Sequence, residues 1–392
     1  MKPEHRGYRT VDGHVRLGSV IHGIGAEIED EGGWIWSLVG VLDGTRGPAG
    51  AVDAVAGRHP EVPRERIAGA LQDLWQAGFL EDAAAVPPPG LGIRDRERHR
   101  RGAELLRWID LTPRAGPWEL QERLRRSRVL LVGVGGTGGT AAQSLVAAGV
   151  GRLHLVDPDT VELSNLNRQQ LYTERDVGRA KTDAAVARLR EVNSDVTVTG
   201  ERREVTGRDV LAGLLGTPCA YDLLVLTADR PPVLRRWANR ACLAAGIPWT
   251  DGGYHGPVVS AGLHMPGSGA CWECHRAGEV ARRDLRLPPG ADEEQASPRM
   301  DWNPANAVTA GLSGSLVAYA ALTLLTGAPP VEPGFRFGMN LMLPGEELLD
   351  RFPRRADCPA CGEPGPGRTG RGLRERAPEE PPASSAAPPE PA

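Results

Sequence analysis

The chain of 392 residues contains no GxxxxGK[ST] run, so a P-loop for nucleotide phosphates is not available to it. It shows no stretch long and apolar enough to cross a bilayer, and no membrane partner is expected. It also lacks an excess of positive charge. Its 46 Lys and Arg face 50 Asp and Glu, a formal net charge of −4, whereas nucleic-acid-binding domains usually present a basic face. No nucleic-acid partner is expected. There is no internal repeat. The six cysteines follow no secretory signal, so a disulfide framework is not expected and a cytoplasmic, reducing compartment is.

What is present suggests two or three domains, with a hydrophobic content of 40% that can build a real core. The most informative stretch is 129–181. An apolar strand at 129–132 feeds the turn Gly133-Val134-Gly135-Gly136-Thr137-Gly138, and a helical pattern follows to about Ala148. A second strand at 153–156 ends on Asp157. Gly133 permits the tight turn, Gly135 and Gly136 let backbone N–H groups approach phosphate, and Gly138 lets helix and strand pack closely. The helix N-terminus adds partial positive charge for phosphates. Asp157, about 20 residues on, is placed to accept hydrogen bonds from ribose hydroxyls. By itself this unit suits a nicotinamide or flavin enzyme about as well as an ATP enzyme.

Charged residues separate these readings. Arg168 lies in SNLNRQ and Lys181 ends GRAK. Hydride transfer has no use for two cations here. Cleavage of ATP at its α-phosphate does, because negative charge must be held at phosphorus and on pyrophosphate. The bland alternative makes both solvated surface charges. A third strand, 222–227, leads into Ala228-Asp229, where a carboxylate can hold Mg²⁺ together with phosphates.

Four cysteines form two CxxC pairs, Cys271 with Cys274 and Cys358 with Cys361. Paired knuckles of this spacing signal a structural Zn²⁺ site, the alternative being two buried or redox pairs. Cys219, ahead of a strand, and Cys242, in a helical pattern, read as structural.

The first hundred residues are a different object. VDGHVRLGS reads as a hairpin turning at Asp12-Gly13. Helices are expected at 34–42, 49–57 and 64–77, with a closing strand at Gly78-Phe79-Leu80. Small strands with three helices suggest a winged-helix module. Residues 86–90, VPPPG, read as a stiff linker. The mixed-sign run at 94–101 reads as a solvated linker or helix start. The Pro-, Glu-, Ala- and Ser-rich tail from 363 is expected to be disordered.

The stretch 121–362 resembles the ThiF/MoeB adenylyltransferases, kin of the ubiquitin-activating enzymes. GVGGTG, VDPDTVELSNLNRQ, DVGRAK and TAD stand in family order. The resemblance implies a Rossmann-like α/β ATP-binding domain with a four-cysteine zinc site and a homodimer. It implies that Asp157 holds the ribose, that Arg168 and Lys181 contact ATP phosphates, that Asp229 acts with Mg²⁺, and that Asn165 and Gln169 line the pocket. Residues 8–82 resemble PqqD-like peptide-recognition domains, which add a precursor leader as a strand to a sheet edge. The expected organisation is therefore a small winged-helix PqqD-like domain at 8–82, a linker and approach helix at 83–120, the adenylyltransferase domain at 121–362 and a tail at 363–392.

Two features depart from the family. The loop SPRMDWNPANAVTAG, before a helix expected near Gly311, carries no nucleophilic cysteine. The upstream RxxRQ-like segment is replaced by LRWIDL, leaving Arg107 or Arg114 as substitutes. The resulting expectation is ATP-dependent adenylation of a peptide or carrier-protein carboxylate, in maturation of a ribosomally made peptide. The alternatives are a leader-binding scaffold for a cyclodehydratase partner and an activator of a sulfur-carrier or ubiquitin-like protein.

Overall fold

A computed structural model describes residues 1–288, 300 and 303–362. The tail from 363 and most of SPRMDW therefore lie outside the described residues. The expected hairpin forms between Tyr8–Arg9 (β1) and Val15–Ser19 (β2), with Gly13 at φ +91° in its turn. A third strand that sequence patterning missed, Ile24–Ile28 (β3), pairs antiparallel with β2. It is short and glycine-interrupted, so it carries little periodic signal. Helices Trp34–Val41 (α1), Pro48–Ala56 (α2) and Arg64–Gln76 (α3) follow. Asp30 starts α1 by accepting from the N–H groups of Ile35 and Trp36 at 2.8 and 3.1 Å. Leu17, Leu38 and Ile67 are wholly buried and join the small sheet to the helices.

The strand expected at Gly78-Phe79-Leu80 does not form. Gly78, at φ +74°, donates to Trp75 O, and Phe79 donates to Leu74 O. These two bonds are a Schellman closure of α3. They consume the N–H groups a strand would have used.

The mixed-charge run is the first half of a long helix, Ile93–Ile109 (α4), which joins the two halves of the molecule. On one side Arg94 and Arg98 pair with Asp195, and Arg98 donates to Val192 O. At the other end Arg107 pairs with Glu4 and Glu81, while Lys2 Nζ donates to Asp110 O at 2.8 Å. Within the run, Arg94 and Arg98 thus reach across to Asp195, while Glu97, Arg100 and Arg101 stay exposed as a solvated face.

After Glu119–Arg126 (α5) the chain enters an eight-stranded sheet. Its elements are Arg128–Val132 (β4), Gly136–Ala147 (α6), Arg152–Val156 (β5), Lys181–Val192 (α7), Thr197–Glu201 (β6), Arg208–Leu215 (α8), Leu223–Leu226 (β7), Leu234–Ala245 (α9), Trp249–His255 (β8), Val258–His264 (β9), Trp272–Arg282 (α10), Ala307–Thr326 (α11), Phe335–Asn340 (β10) and Glu347–Arg351 (β11). The order is β11-β10-β9-β8-β7-β4-β5-β6. Strands β8 to β6 run parallel, and β9, β10 and β11 extend the sheet antiparallel. β4 and β7 are apolar and buried, as central parallel strands are. β6 went unread because it is an edge strand in which Val198 alone is buried. Gly252 and Gly253 likewise break the pattern of β8.

The expectation about long apolar stretches is corrected by α11, which is 20 residues long and apolar enough to cross a bilayer by length and composition. Over half of that stretch is buried. It packs on α6, where Thr137 and Ser313 share a 2.7 Å hydrogen bond, and on β8, where a side chain at Gly252 would strike Val317. Its start is Ala307, not Gly311, because Asn306 caps the N–H groups of Val308 and Thr309 at 3.0 Å.

Candidate active site

β4 is followed by α6 on the way to β5, whereas the chain returns to β7 on β4's other side. The crevice beyond the carboxyl ends of β4, β5 and β7 is therefore a topological switch point, where open α/β sheets bind ligands. The glycine turn lies there. Gly133, at φ +95°, donates to Val156 O, and its own carbonyl accepts from Thr227 Oγ1 at 2.6 Å. A Cβ at Gly133 would press on the Ala228 backbone, and one at Gly138 would run into Gly133 O. Both approaches demand glycine. Gly136 lies under the carbonyl of Arg168, and Gly135 lies beside Gln169. The turn and the SNLNRQ loop are thus face to face.

Asp157, at the end of β5, is buried and accepts from the N–H groups of Val134 at 2.6 Å and Asp159 at 2.9 Å. Its carboxylate thereby fixes the turn, and each oxygen retains a further acceptor site. The loop after it closes on itself. Val161 donates to Arg179 O and Lys181 donates to Asp159 O, which returns Lys181 to the strand ends. The Lys181 ammonium is 7% exposed and meets the exposed Asp159 carboxylate at 2.7 Å. Asn165 is buried and turns the loop by accepting from Glu162 N–H. Arg168 donates to Ser164 O at 3.0 Å and to Asn167 Oδ1 at 3.1 Å. Gln169 is 4% exposed, and its Oε1 has no protein partner. A buried acceptor left without a donor costs free energy that a bound group could recover. Glycines that no side chain can replace, a dipolar helix start and this orphaned acceptor fit a nucleotide.

Asp229 follows β7 and is exposed, with Arg235 Nη2 at 3.4 Å. Sequence reading missed what lies behind it. Asp251, on β8, is completely buried and gathers Arg336 at 2.6 Å, His264 at 2.9 Å and Arg235 at 3.1 Å. Burial acts to raise its pKa, but the adjacent Arg336, His264 and Arg235 prevail and hold it well below the usual carboxylate range. Tyr254 was also missed. Its phenol lies beside the charges of Arg168 and Asp229, and burial raises its pKa despite the guanidinium. Neither residue has a local signature, since β8 acquires its meaning from the strands beside it.

The four cysteines converge. Their sulfurs lie within 4.8 Å of one another, with separations of 3.9 Å for Cys271–Cys274, 3.7 Å for Cys271–Cys358 and 3.5 Å for Cys274–Cys361. A tetrahedral zinc with bonds of about 2.3 Å sets sulfurs roughly 3.8 Å apart, so the residues fit the ion. Cys219 and Cys242 are buried elsewhere. Neither upstream arginine faces the crevice. Arg107 is bound to Glu4 and Glu81, and Arg114 to Asp110 and Glu119.

A parallel sheet with a glycine turn at its switch point, faced by a cation-bearing loop, defines a Rossmann-like nucleotide-binding α/β domain. The ThiF family model matches residues 107–360, and the chain belongs to the ThiF family, that of the ThiF/MoeB-type adenylyltransferases. It is similar to the sulfur carrier protein adenylyltransferase of Thermus thermophilus, 35% identical over 64% of this chain and 88% of that protein. The SAMP-activating enzyme E1 of Haloferax volcanii is 34% identical over 64% and 85%. Adenylyltransferase and sulfurtransferase MOCS3 of Sus scrofa is 32% identical over 79% of this chain, which spans 63% of that longer protein. Among solved structures, E. coli MccB superposes with a TM-score of 0.70 at 20% identity, over 95% of this chain and 98% of that one. The microcin C7 biosynthetic enzyme MccB in complex with N-formylated MccA gives 0.66 at 22%, over 92% and 99%. These two likenesses establish the fold.

Proposed function

We propose that this protein uses ATP to adenylate the carboxylate of a ribosomally made peptide. A carboxylate oxygen attacks the α-phosphorus, the bond to pyrophosphate breaks, and an acyl adenylate results. The observation that carries the reading is the conjunction of the glycine turn with Lys181, Arg168 and Asp229 at the ends of adjacent strands. Arg168 and Lys181 stabilise charge on the phosphates as it develops. Asp157 takes the ribose, and Asn165 and Gln169 line the nucleotide pocket. Asp229 would hold Mg²⁺, which supplies charge neutralisation at the phosphates. Zn²⁺ in the four cysteines would tie α10 to the segment after β11. The working form is a homodimer.

The N-terminal module docks the peptide's leader. Its sheet order leaves the outer edge of β3 unpaired among the described residues, and an extended peptide can add there as a strand. Docking raises the effective concentration of the reactive carboxylate at the ATP site. The MccB structure holding N-formylated MccA supports this arrangement by likeness of fold. A second reading, activation of a sulfur-carrier protein, draws on the names of the sequence relatives. A third, a leader-binding scaffold, draws on the commitment of Arg107 and Arg114 to internal ion pairs.

The test is ATP–pyrophosphate exchange with candidate precursor peptides and a Gly-Gly-ended carrier, comparing wild type with Asp229→Ala. Exchange that requires both peptide and Asp229 supports the proposal. Exchange with the carrier alone favours the second reading. Tight leader binding without exchange favours the scaffold.

A further inference from the structure

We infer that Arg235 is an internal counter-ion for Asp229. Anchored by the buried Asp251, it occupies the Asp229 carboxylate until a divalent cation on the nucleotide displaces it. The inference rests on the reading of Asp229 as the cation-holding residue and assigns a device to it.

The geometry is asymmetric in a useful way. Arg235 gives its Nε to Asp251 Oδ2 at 3.1 Å and its outer Nη2 to Asp229 Oδ1 at 3.4 Å. Asp251 does not depend on that arginine alone. Its Oδ2 also receives Arg336 at 2.6 Å, and its Oδ1 shares a hydrogen bond with His264 Nε2 at 2.9 Å. Two guanidinium charges therefore face one buried carboxylate, and the surplus positive charge is turned toward Asp229. The guanidinium spans both carboxylates with two different nitrogens, Nε on Asp251 and Nη2 on Asp229, whereas a lysine ammonium is a single donor centre. The inner contact is dry, since Asp251 is 0% exposed; the outer contact is wet, since Asp229 is 67% exposed. Exposed ion pairs are weak, so the outer bond is the one that yields. Arg235 thus holds Asp229 at the end of β7 without competing strongly once a divalent charge arrives.

The test is Mn²⁺ titration of the full chain with ATP, followed by the electron paramagnetic resonance of free Mn²⁺, which needs no turnover. Arg235→Leu frees Asp229, and cation affinity should rise roughly two- to fivefold. Arg235→Lys keeps the positive charge and can remain on Asp251, yet no longer reaches Asp229. It should show the same gain, which a general field effect would not produce. Adding Asp229→Asn should remove the gain in both backgrounds. Unchanged or weaker Mn²⁺ binding in Arg235→Lys, with a native melting temperature, overturns the inference. If Asp229→Asn alone leaves wild-type Mn²⁺ affinity intact, the cation-holding reading fails and takes this inference with it.

Discussion

At the scale of single residues, the site is built from groups whose local environment costs stability unless a ligand is bound. Gln169 buries an acceptor without a donor, and Lys181 buries an ammonium against an exposed carboxylate. On the proposed function, such a lysine matters more to chemistry than to folding. Lys181→Ala should slow ATP–pyrophosphate exchange by about 10²- to 10³-fold, the effect of removing one charge-stabilising donor. Its urea-unfolding free energy should change by no more than about 1 kcal/mol, because the Asp159 partner is largely solvated. A loss of stability without a loss of exchange would contradict this assignment. Arg168, Lys181 and Asp229 were legible in the sequence as charges adjoining apolar strands and a glycine turn. Asp251, Tyr254 and Arg235 were not, because their partners lie on other strands and helices.

At the scale of elements, caps and closures decide where helices begin and end. Asn306 accepts two N–H groups at the start of α11, the helix that packs on α6 beside the glycine turn. Asn306→Ala should destabilise the protein by about 1 kcal/mol, read as a lowered urea midpoint with an unchanged slope. Gly78 closes α3 at φ +74°, and a Cβ there would meet the Leu111 backbone. Gly78→Ala should cost at least about 1–2 kcal/mol from the left-handed backbone alone. The clash should also loosen the N-terminal module from α4, visible as faster exchange of the Lys2 and His5 amides, which are bonded to Phe79 O and Lys2 O. Unaltered exchange there would mean that the close approach can relax. The helices of the N-terminal module were readable because apolar spacing and turn residues are local signals. β3 and β6 were not, since a short edge strand is defined by its neighbour.

At the scale of the whole molecule, several buried imidazoles make stability depend on pH in a fixed direction. His99 sits on α4 near Gly149, and burial, aided by the charge of Arg98, lowers its pKa. Burial lowers the wholly buried His5 and the partly buried His154 in the same way. The folded chain then binds fewer protons than the unfolded one, so these groups contribute full stability above about pH 6.5 and lose it as pH falls through that value. Asp251, depressed by its arginines, adds a further loss below about pH 4. The melting temperature should be flat near pH 8 and fall in two stages on acidification. A rise between about pH 7 and pH 5.5 would refute the imidazole argument. The cysteine cluster makes a separate prediction. The purified chain should carry about one zinc, and Cys358→Ser should lose it. Protease cleavage should then appear near residues 352–357. Full zinc content in that variant would point to a different ligand set.

The sequence by itself determined the nucleotide-binding βαβ unit, the two CxxC pairs and the three helices of the N-terminal module, because glycine turns, metal-ligand spacing and 3.6-residue periodicity are properties of neighbouring residues. The tertiary structure alone decided three things. It made α4 a strut by setting Asp195 beside Arg94 near its start and Glu4 and Glu81 beside Arg107 near its end. It packed one side of a bilayer-length helix against α6 and β8, burying just over half of it. It also placed Arg235 between Asp229 and Asp251. In each case the decisive partner is far away in the chain, and only the fold brings such partners within reach of a Coulombic or packing contact.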